Sequence, residues 1–226
     1  MTAALSVGLM VPANNTTMEG ELAAWLPPGS LVRRVGIPRG KGLLTKETMP
    51  AYRDAAIEVA RQEFAGARLD AIAYGCTAAG FISGPRGDAE LAAMLSDATG
   101  LPVVTTARAM VKALQHDHAK RIAVVTPYQD AVNVQLEAFL ADGGISVLRL
   151  ASFRAPDVEA LGRITSSEVL DLARRTMGAD ADALFIGCSQ LPTHAVLAGL
   201  ADEFAKPAWS SISATAWNLM RLPVHA

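Results

Sequence analysis

Asp70-Ala-Ile-Ala-Tyr-Gly-Cys-Thr77 and Asp182-Ala-Leu-Phe-Ile-Gly-Cys-Ser189 are one phrase written twice, at an offset of 112 residues. In each copy an aspartate leads a short apolar run, the run ends on glycine, and a cysteine and a hydroxyl residue follow. A short apolar run bounded by turn formers reads as a buried strand. Glycine at its carboxyl end permits a tight turn or a close approach. Two more pairs repeat in the same order. Val7-Gly-Leu-Met-Val-Pro12 matches Ile122-Ala-Val-Val-Thr-Pro127 at an offset of 115, and Pro102-Val-Val-Thr-Thr106 matches Pro207-Ala-Trp-Ser-Ser211 at 105. The last pair continues into helical sequence, with Ala109 over Ala214 and Leu114 over Leu219. Three strand-and-turn pairs in one order identify an internal duplication, and loop insertions account for the drift in offset.

Outward from these pairs, the whole chain alternates short strand-like runs with helical ones. Strands are predicted at Leu5–Val11, Leu31–Val35, Ala71–Tyr74, Val103–Thr105, Ile122–Thr126, Val147–Leu150 and Ala183–Ile186. Helices are predicted at Glu47–Phe64, Asp88–Thr99, Ala107–Gln115, Gln129–Asp142, Ser167–Met177, His194–Phe204 and Ser213–Leu222, with Thr165-x-x-Glu168 as a capping box. This alternation predicts an α/β fold of two pseudo-symmetric, Rossmann-like halves, each a mostly parallel sheet flanked by helices. Residues 1–106 plus 207–226 are expected to form the N-terminal half and 107–206 the C-terminal half. A ligand is expected in the cleft between them, beyond the carboxyl ends of the strands.

Composition narrows the function. The chain has 226 residues, 51% hydrophobic but only 5% aromatic, so its core is aliphatic. A net charge of -2 gives no reason to expect nucleic acid or an anionic membrane as partner. No apolar stretch reaches the roughly 18 residues of a membrane span. The start, Met1-Thr-Ala-Ala-Leu5, lacks the basic region and apolar run of a signal peptide, so a cytoplasmic location is expected. A stable disulfide is then not expected from Cys76 and Cys188. His116, His118, His194 and His225 form no recognisable metal set. No GxGxxG, Walker or Gly-x-Ser-x-Gly pattern occurs, and no cofactor is expected.

The chemistry gathers at strand ends. If each Gly-Cys turn opens a helix, the free amides there favour anions and lower the thiol pKa. Cys76 is followed by Thr77 and Ala78, and Cys188 by Ser189 and Gln190. A buried cysteine is often merely a small apolar residue. Matched placement in two repeats instead favours thiol catalysis on a carboxylate substrate. After the first strand, Asn14, Asn15, Thr16 and Thr17 supply more neutral hydrogen-bonding groups than capping needs. Tyr128 follows the corresponding strand of the second repeat. Thr105-Thr106 and Ser210-Ser211 read as helix caps. His194 begins a helix six residues after Cys188, where a surface position is favoured over a Cys/His pair. Lys and Arg are scarce in these turns, so carboxylates are expected to be held by amides and hydroxyls.

With these residues in hand, the chain resembles the aspartate/glutamate racemase superfamily along essentially its whole length. Val11-Pro-Ala-Asn-Asn-Thr-Thr-Met-Glu19 looks like the signature of maleate cis-trans isomerases. Thr99–Thr106 and Ala109–Leu114 look like that branch and its arylmalonate decarboxylase relatives. The resemblance implies a cofactor-independent isomerase converting maleate to fumarate. Cys76 would add to the double bond, the resulting enediolate would rotate, and elimination would follow. Cys188 would act as acid/base or alternative nucleophile. Asn14 and Tyr128 would hold carboxylates, and Asn15, Thr16, Thr77, Ala78, Ser189 and Gln190 would complete the substrate site. The same frame admits a two-thiol racemase of amino acids or hydantoins, an arylmalonate-type decarboxylase, or a non-catalytic small-acid binding protein. Thr77-Ala78-Ala79 looks more like the racemases and decarboxylases than the bulkier aliphatics of maleate isomerases. Decarboxylases, however, keep only the second cysteine. A homodimer or homotetramer is implied as well.

Overall fold

A computed structural model describes residues 3–39 and 44–223 of the chain; His225 lies outside them. Eight strands form two four-stranded sheets. In the first, β1 (Ser6–Pro12), β2 (Leu31–Ile37), β3 (Ala71–Tyr74) and β4 (Val103–Thr105) run in the order β2-β1-β3-β4. In the second, β5 (Arg121–Thr126), β6 (Ser146–Ser152), β7 (Ala183–Ile186) and β8 (Ala208–Ser210) repeat it as β6-β5-β7-β8. Every neighbouring pair is parallel. The duplicated phrases thus occupy equivalent strands, β1 with β5, β3 with β7 and β4 with β8.

The central strands read as unbroken apolar runs because both of their faces are covered. On one face of the first sheet, Val7, Leu9 and Val11 meet Met18 and Leu22 of α1 (Met18–Trp25) and Ile212 and Leu219 of α10 (Ser211–Leu219). On the other face, Met10, Ile72 and Tyr74 join a core shared with Ile122, Val124 and Phe185 of the second sheet. Met110 and Leu114 of α5 (Thr106–His116) belong to that shared core, and α5 packs on α10. Val125, Leu184 and Ile186 are covered by Val169 and Ala173 of α8 (Ser166–Thr176) and by Leu197 and Leu200 of α9 (His194–Phe204). The Thr165–Glu168 capping box is present at the start of α8.

Three expectations need correction. Residues 207–226 do not all join the first half: β8 pairs with β7 through Leu184↔Ala208 and Ile186↔Ser210, while α10 contributes Ile212 and Leu219 to the first sheet's core. The offset of 105 already made β8 the mate of β4, so its place is the edge of the second sheet. Helix α4 (Gly84–Thr99) starts before Asp88, with Pro85 in its first turn, where a missing N–H costs nothing. Finally, α1, α3 (Thr77–Ile82) and α7 (Val158–Gly162) are helices that periodicity does not reveal, since each spans about two turns or fewer. The remaining helices are α2 (Met49–Phe64) and α6 (Asp130–Asp142). No described helix is long and apolar enough to cross a membrane.

Candidate active site

Both cysteine turns end the third strand of their sheet, and both thiols line one cavity of about 700 Å3, counted to its open mouth. Gly75 sets the first turn. Its N–H donates to the Met10 carbonyl at 2.7 Å, and a Cβ there would lie 2.4 Å from Met18 Sδ and 2.7 Å from Val11 Cγ1. No other residue fits that approach. Cys76 then stands at the N-cap of α3, buried, with the Ala79 amide at its sulfur. Burial pushes its thiol up, while that amide, the Arg39 charge and the Tyr52 hydroxyl favour the thiolate.

Cys188 is not the copy of Cys76 that the repeat predicts. No helix follows it directly; Ser189 and Gln190 form a turn, and α9 begins only at His194. Its φ is 120°, a left-handed value rare for a residue with a side chain. Such a conformation costs about 1–3 kcal/mol and persists where neighbours enforce it. Here the Cys188 N–H donates to Ser211 Oγ at 2.9 Å, and Sγ accepts the Gln190 N–H at 3.4 Å. Burial raises its thiol to about 11, against the Gln190 amide and the Tyr128 hydroxyl. The Arg39 charge favours the Cys76 thiolate, whereas the charge of Cys76 opposes ionisation of Cys188, so Cys76 is the more readily ionised of the two.

Tyr128 bridges them in chemistry. Its hydroxyl is buried near Cys188, Cys76 and Thr77, and burial above all drives its pKa well up, so it stays a donor. Neither Tyr128 OH nor Thr77 Oγ1 completes a hydrogen bond among the described residues, and both side chains line the cavity. Buried donors without partners are costly, and a ligand oxygen would satisfy them.

The other predicted residues divide. Asn14 and Ala78 line the cavity, Asn14 from an exposed rim position. Asn15 and Ser189 line it too, but their polar atoms hold the halves together. Asn15 Nδ2 donates to Ser189 O and Oγ at 3.2 Å each, and Asn15 Oδ1 accepts the Thr17 and Met18 amides at 3.1 and 2.9 Å. Ser189 Oγ donates to the Gly75 carbonyl at 2.6 Å. Thr16 is not in the lining: its N–H donates to Gln190 Oε1 at 3.0 Å, and its hydroxyl accepts from Gln190 Nε2 at 2.9 Å. His194 is exposed, with its ring edge-on to Trp25 at 4.9 Å and its N–H on Glu21, outside the cavity.

The cation of the described lining, Arg39, escaped the sequence reading, as did apolar wall residues such as Leu44, Val132 and Leu161. Arg39, two residues beyond β2, sits in the cavity wall near Cys76. Its signal was a basic residue just past a strand end, in the short Pro38-Arg39-Gly40 segment. It places a cation in the wall of a cavity whose cysteine turns carry no Lys or Arg.

Relatives share this architecture. A maleate isomerase of Geobacillus stearothermophilus is 26% identical over 231 residues, covering 95% of this chain and 90% of that protein. An arylmalonate decarboxylase of Bordetella bronchiseptica is 30% identical over 186 residues, covering 81% and 77%. The structure of a Nocardia farcinica maleate cis-trans isomerase, a Cys-to-Ser mutant with a covalently bound succinylcysteine intermediate, superposes with a TM-score of 0.85 at 26% identity. It covers 97% of this chain and 92% of its own. The arylmalonate decarboxylase family profile matches residues 7–226. On that match and the paired cysteine turns, the chain belongs to the arylmalonate decarboxylase family, together with relatives that isomerise maleate.

Proposed function

We propose that this protein is a cofactor-independent cis-trans isomerase that converts maleate to fumarate, with Cys76 as nucleophile and Cys188 as proton handler. The observation that carries the reading is the inequality of two thiols lining one cavity: Cys76 beside a cation and an amide, Cys188 held as a thiol up to about pH 11. The covalent succinylcysteine of the Nocardia farcinica enzyme supports addition as the first step.

The Cys76 thiolate adds to one olefinic carbon, and the π electrons move into the adjacent carboxylate to form an enediolate. Tyr128, Thr77 and neighbouring amides stabilise the charge that develops there, the preorganised role of an oxyanion hole. The former double bond is now single and rotates. Collapse of the enediolate expels the thiolate and leaves fumarate. When Cys188 gives its proton to the enediolate carbon, a succinyl adduct rests on Cys76, and return of that proton to the Cys188 thiolate reopens the path. No electrons are gained or lost overall. The test is proton NMR of freshly reduced protein with maleate, with mass spectrometry of the Cys76 peptide. Fumarate formation abolished in Cys76→Ser is expected; no turnover by reduced wild type would sink the reading.

A second reading, a two-thiol racemase, is favoured by the small Thr77-Ala78-Ala79 stretch and by both thiols lining one cavity. It requires solvent deuterium to exchange into Cα of an amino acid or hydantoin. Absence of exchange across such substrates would eliminate it.

A further inference from the structure

Thr77 and Tyr128 are not the only hydroxyls near the thiols that complete no hydrogen bond among the described residues. Tyr52 of α2 and Tyr74 of β3 share that state, and both are buried in one core cluster with Cys76. Neither of these two tyrosines lines the active-site cavity. Tyr74 leads directly into the Gly75–Cys76 turn. Its strand partner Thr105 donates to Asp88 Oδ2 at 2.8 Å, and the Tyr74 hydroxyl faces the charges of both Cys76 and Asp88. Tyr52 comes closer to the chemistry: its hydroxyl reaches toward the Cys76 sulfur without completing a hydrogen bond to it. Burial above all drives the pKa of both phenols well up, so both stay protonated donors.

A buried donor without a partner is costly. Thr77 and Tyr128 can be satisfied by a substrate oxygen, because they line the cavity. Tyr52 stands outside that lining, and the acceptor in its reach is sulfur. A thiol accepts weakly and a thiolate strongly. We propose that Tyr52 is the positioning residue of Cys76, a donor set behind the cavity wall that bonds the sulfur when it is a thiolate and releases it when it is a thioether. On addition, the sulfur electron pair enters the C–S bond and the acceptor is lost. On elimination, the enediolate electrons re-form the C=C bond, the C–S bond breaks with its pair left on sulfur, and the Tyr52 hydrogen bond returns. Tyr52 therefore favours ionisation of Cys76 and expulsion of product. This rests on reading Cys76 as the nucleophile of the proposed isomerase. The other groups that face Cys76 are Arg39 beyond β2, Tyr74 of β3, Tyr128 after β5 and Cys188 after β7, with Asp88 of α4 acting on Tyr74. Of these, the two phenols and Cys188 are neutral near pH 7.

The experiment follows iodoacetamide alkylation of Cys76 against pH, read peptide by peptide in the mass spectrometer so that Cys188 is scored separately. Tyr52→Phe keeps the ring and removes only an unpartnered hydroxyl, so the variant should melt no lower than wild type. Its Cys76 midpoint should rise by about one pH unit, a roughly tenfold smaller thiolate fraction below the midpoint, while Cys188 does not move. Tyr74→Phe removes the neighbouring orphan hydroxyl and should leave the Cys76 midpoint in place. Replacing Tyr52 by 3-fluorotyrosine, a stronger donor, should lower that midpoint. With maleate, Tyr52→Phe should lose kcat with little change in KM and should accumulate the succinyl adduct on Cys76. An unchanged Cys76 midpoint in Tyr52→Phe, or an equal shift in Tyr74→Phe, overturns the inference; so does an unchanged midpoint with 3-fluorotyrosine. Alkylation needs no turnover. A Cys76 midpoint that depends on Tyr52, with maleate left unconverted, would retire the isomerase and keep the partnership, and the converse would do the reverse.

Discussion

Ser189 Oγ donates a 2.6 Å hydrogen bond to the carbonyl of Gly75, so the turn that carries one cysteine is tied directly to the turn that carries the other. The tie is buried, and Asn15 completes it from the end of β1 by donating to Ser189 O and Oγ. Removing the hydroxyl strands the Gly75 carbonyl and leaves Asn15 Nδ2 with Ser189 O alone. Ser189→Ala is expected to cost about 1–3 kcal/mol of stability, the desolvation cost of buried groups left unpaired. If the tie also sets the thiol separation, kcat for maleate falls while KM for the diacid changes little. Calorimetry with steady-state kinetics checks both; unchanged stability and unchanged kcat would show the bond to be idle.

The two thiols should separate in a pH titration. Burial raises both, but Cys188 stands at about 11, whereas Cys76 is opposed by a cation and a helix-start amide. Thiolate, not thiol, is alkylated. Iodoacetamide should therefore modify Cys76 first at neutral pH, and Cys188 only as pH approaches 11. A thiol whose folded pKa is raised contributes its stability below the unfolded value, and that stability is lost as pH rises through the folded value. Wild type should thus weaken between about pH 9 and 11 more than Cys188→Ala does. Melting temperatures across that window measure it, and parallel curves for the two proteins would refute the assignment.

Much of this fold was written in the chain. The repeated Asp-to-Cys phrase placed β3 and β7 to the residue, and the three offsets matched strands that occupy equivalent positions in two sheets of the same order. What stayed hidden depends on contacts between distant segments. Helix α1 leaves no helical period in the sequence because only Met18 and Leu22 of it are buried. Cys188 looks like a copy of Cys76 until Ser211, 23 residues away, takes its amide and fixes a positive φ. Asn15 and Thr16 look like ligand donors, yet Ser189 and Gln190, 174 residues on, consume them. Arg39 lines the cavity from two residues beyond β2, far in sequence from either cysteine turn.

Asp88 offers a separate acid-side test. Its carboxyl is almost fully buried, accepts from Thr105 Oγ1 at 2.8 Å, lies 3.6 Å from Arg108 Nε, and leaves Oδ1 without a partner among the described residues. Burial raises its pKa, and the Thr105 hydroxyl and Arg108 charge oppose the rise without cancelling it. A carboxyl raised in the folded state favours folding while protonated; that contribution is complete below the unfolded value and fades as pH rises through the folded one. Asp88→Asn keeps the acceptor for Thr105 and buries no charge. At pH 7 it should be at least as stable as wild type, and it should lack the wild-type decline on leaving the acid range. A variant weaker than wild type by more than about 2 kcal/mol at pH 7 would mean that the Arg108 pair outweighs desolvation.

Glu21 supplies the last test, because it joins the halves without touching the cavity. From α1 its carboxylate accepts the Thr193 N–H at 2.6 Å, the Thr193 hydroxyl at 2.9 Å and the His194 N–H at 3.0 Å. Thr193 makes no side-chain cap of its own, so Glu21 caps α9 from the other half of the molecule. A carboxylate on the amides that open a helix is favoured by hydrogen bonding and by the helix dipole together. Glu21→Ala should cost about 2–3 kcal/mol, and Glu21→Gln, which retains an acceptor without the charge, about half of that. Cys76 is buried on a different turn, so its alkylation rate at pH 7 should be unchanged in the folded Glu21→Gln protein. A loss of Cys76 reactivity in the folded Glu21→Gln protein would instead place Glu21 among the groups that set the thiols.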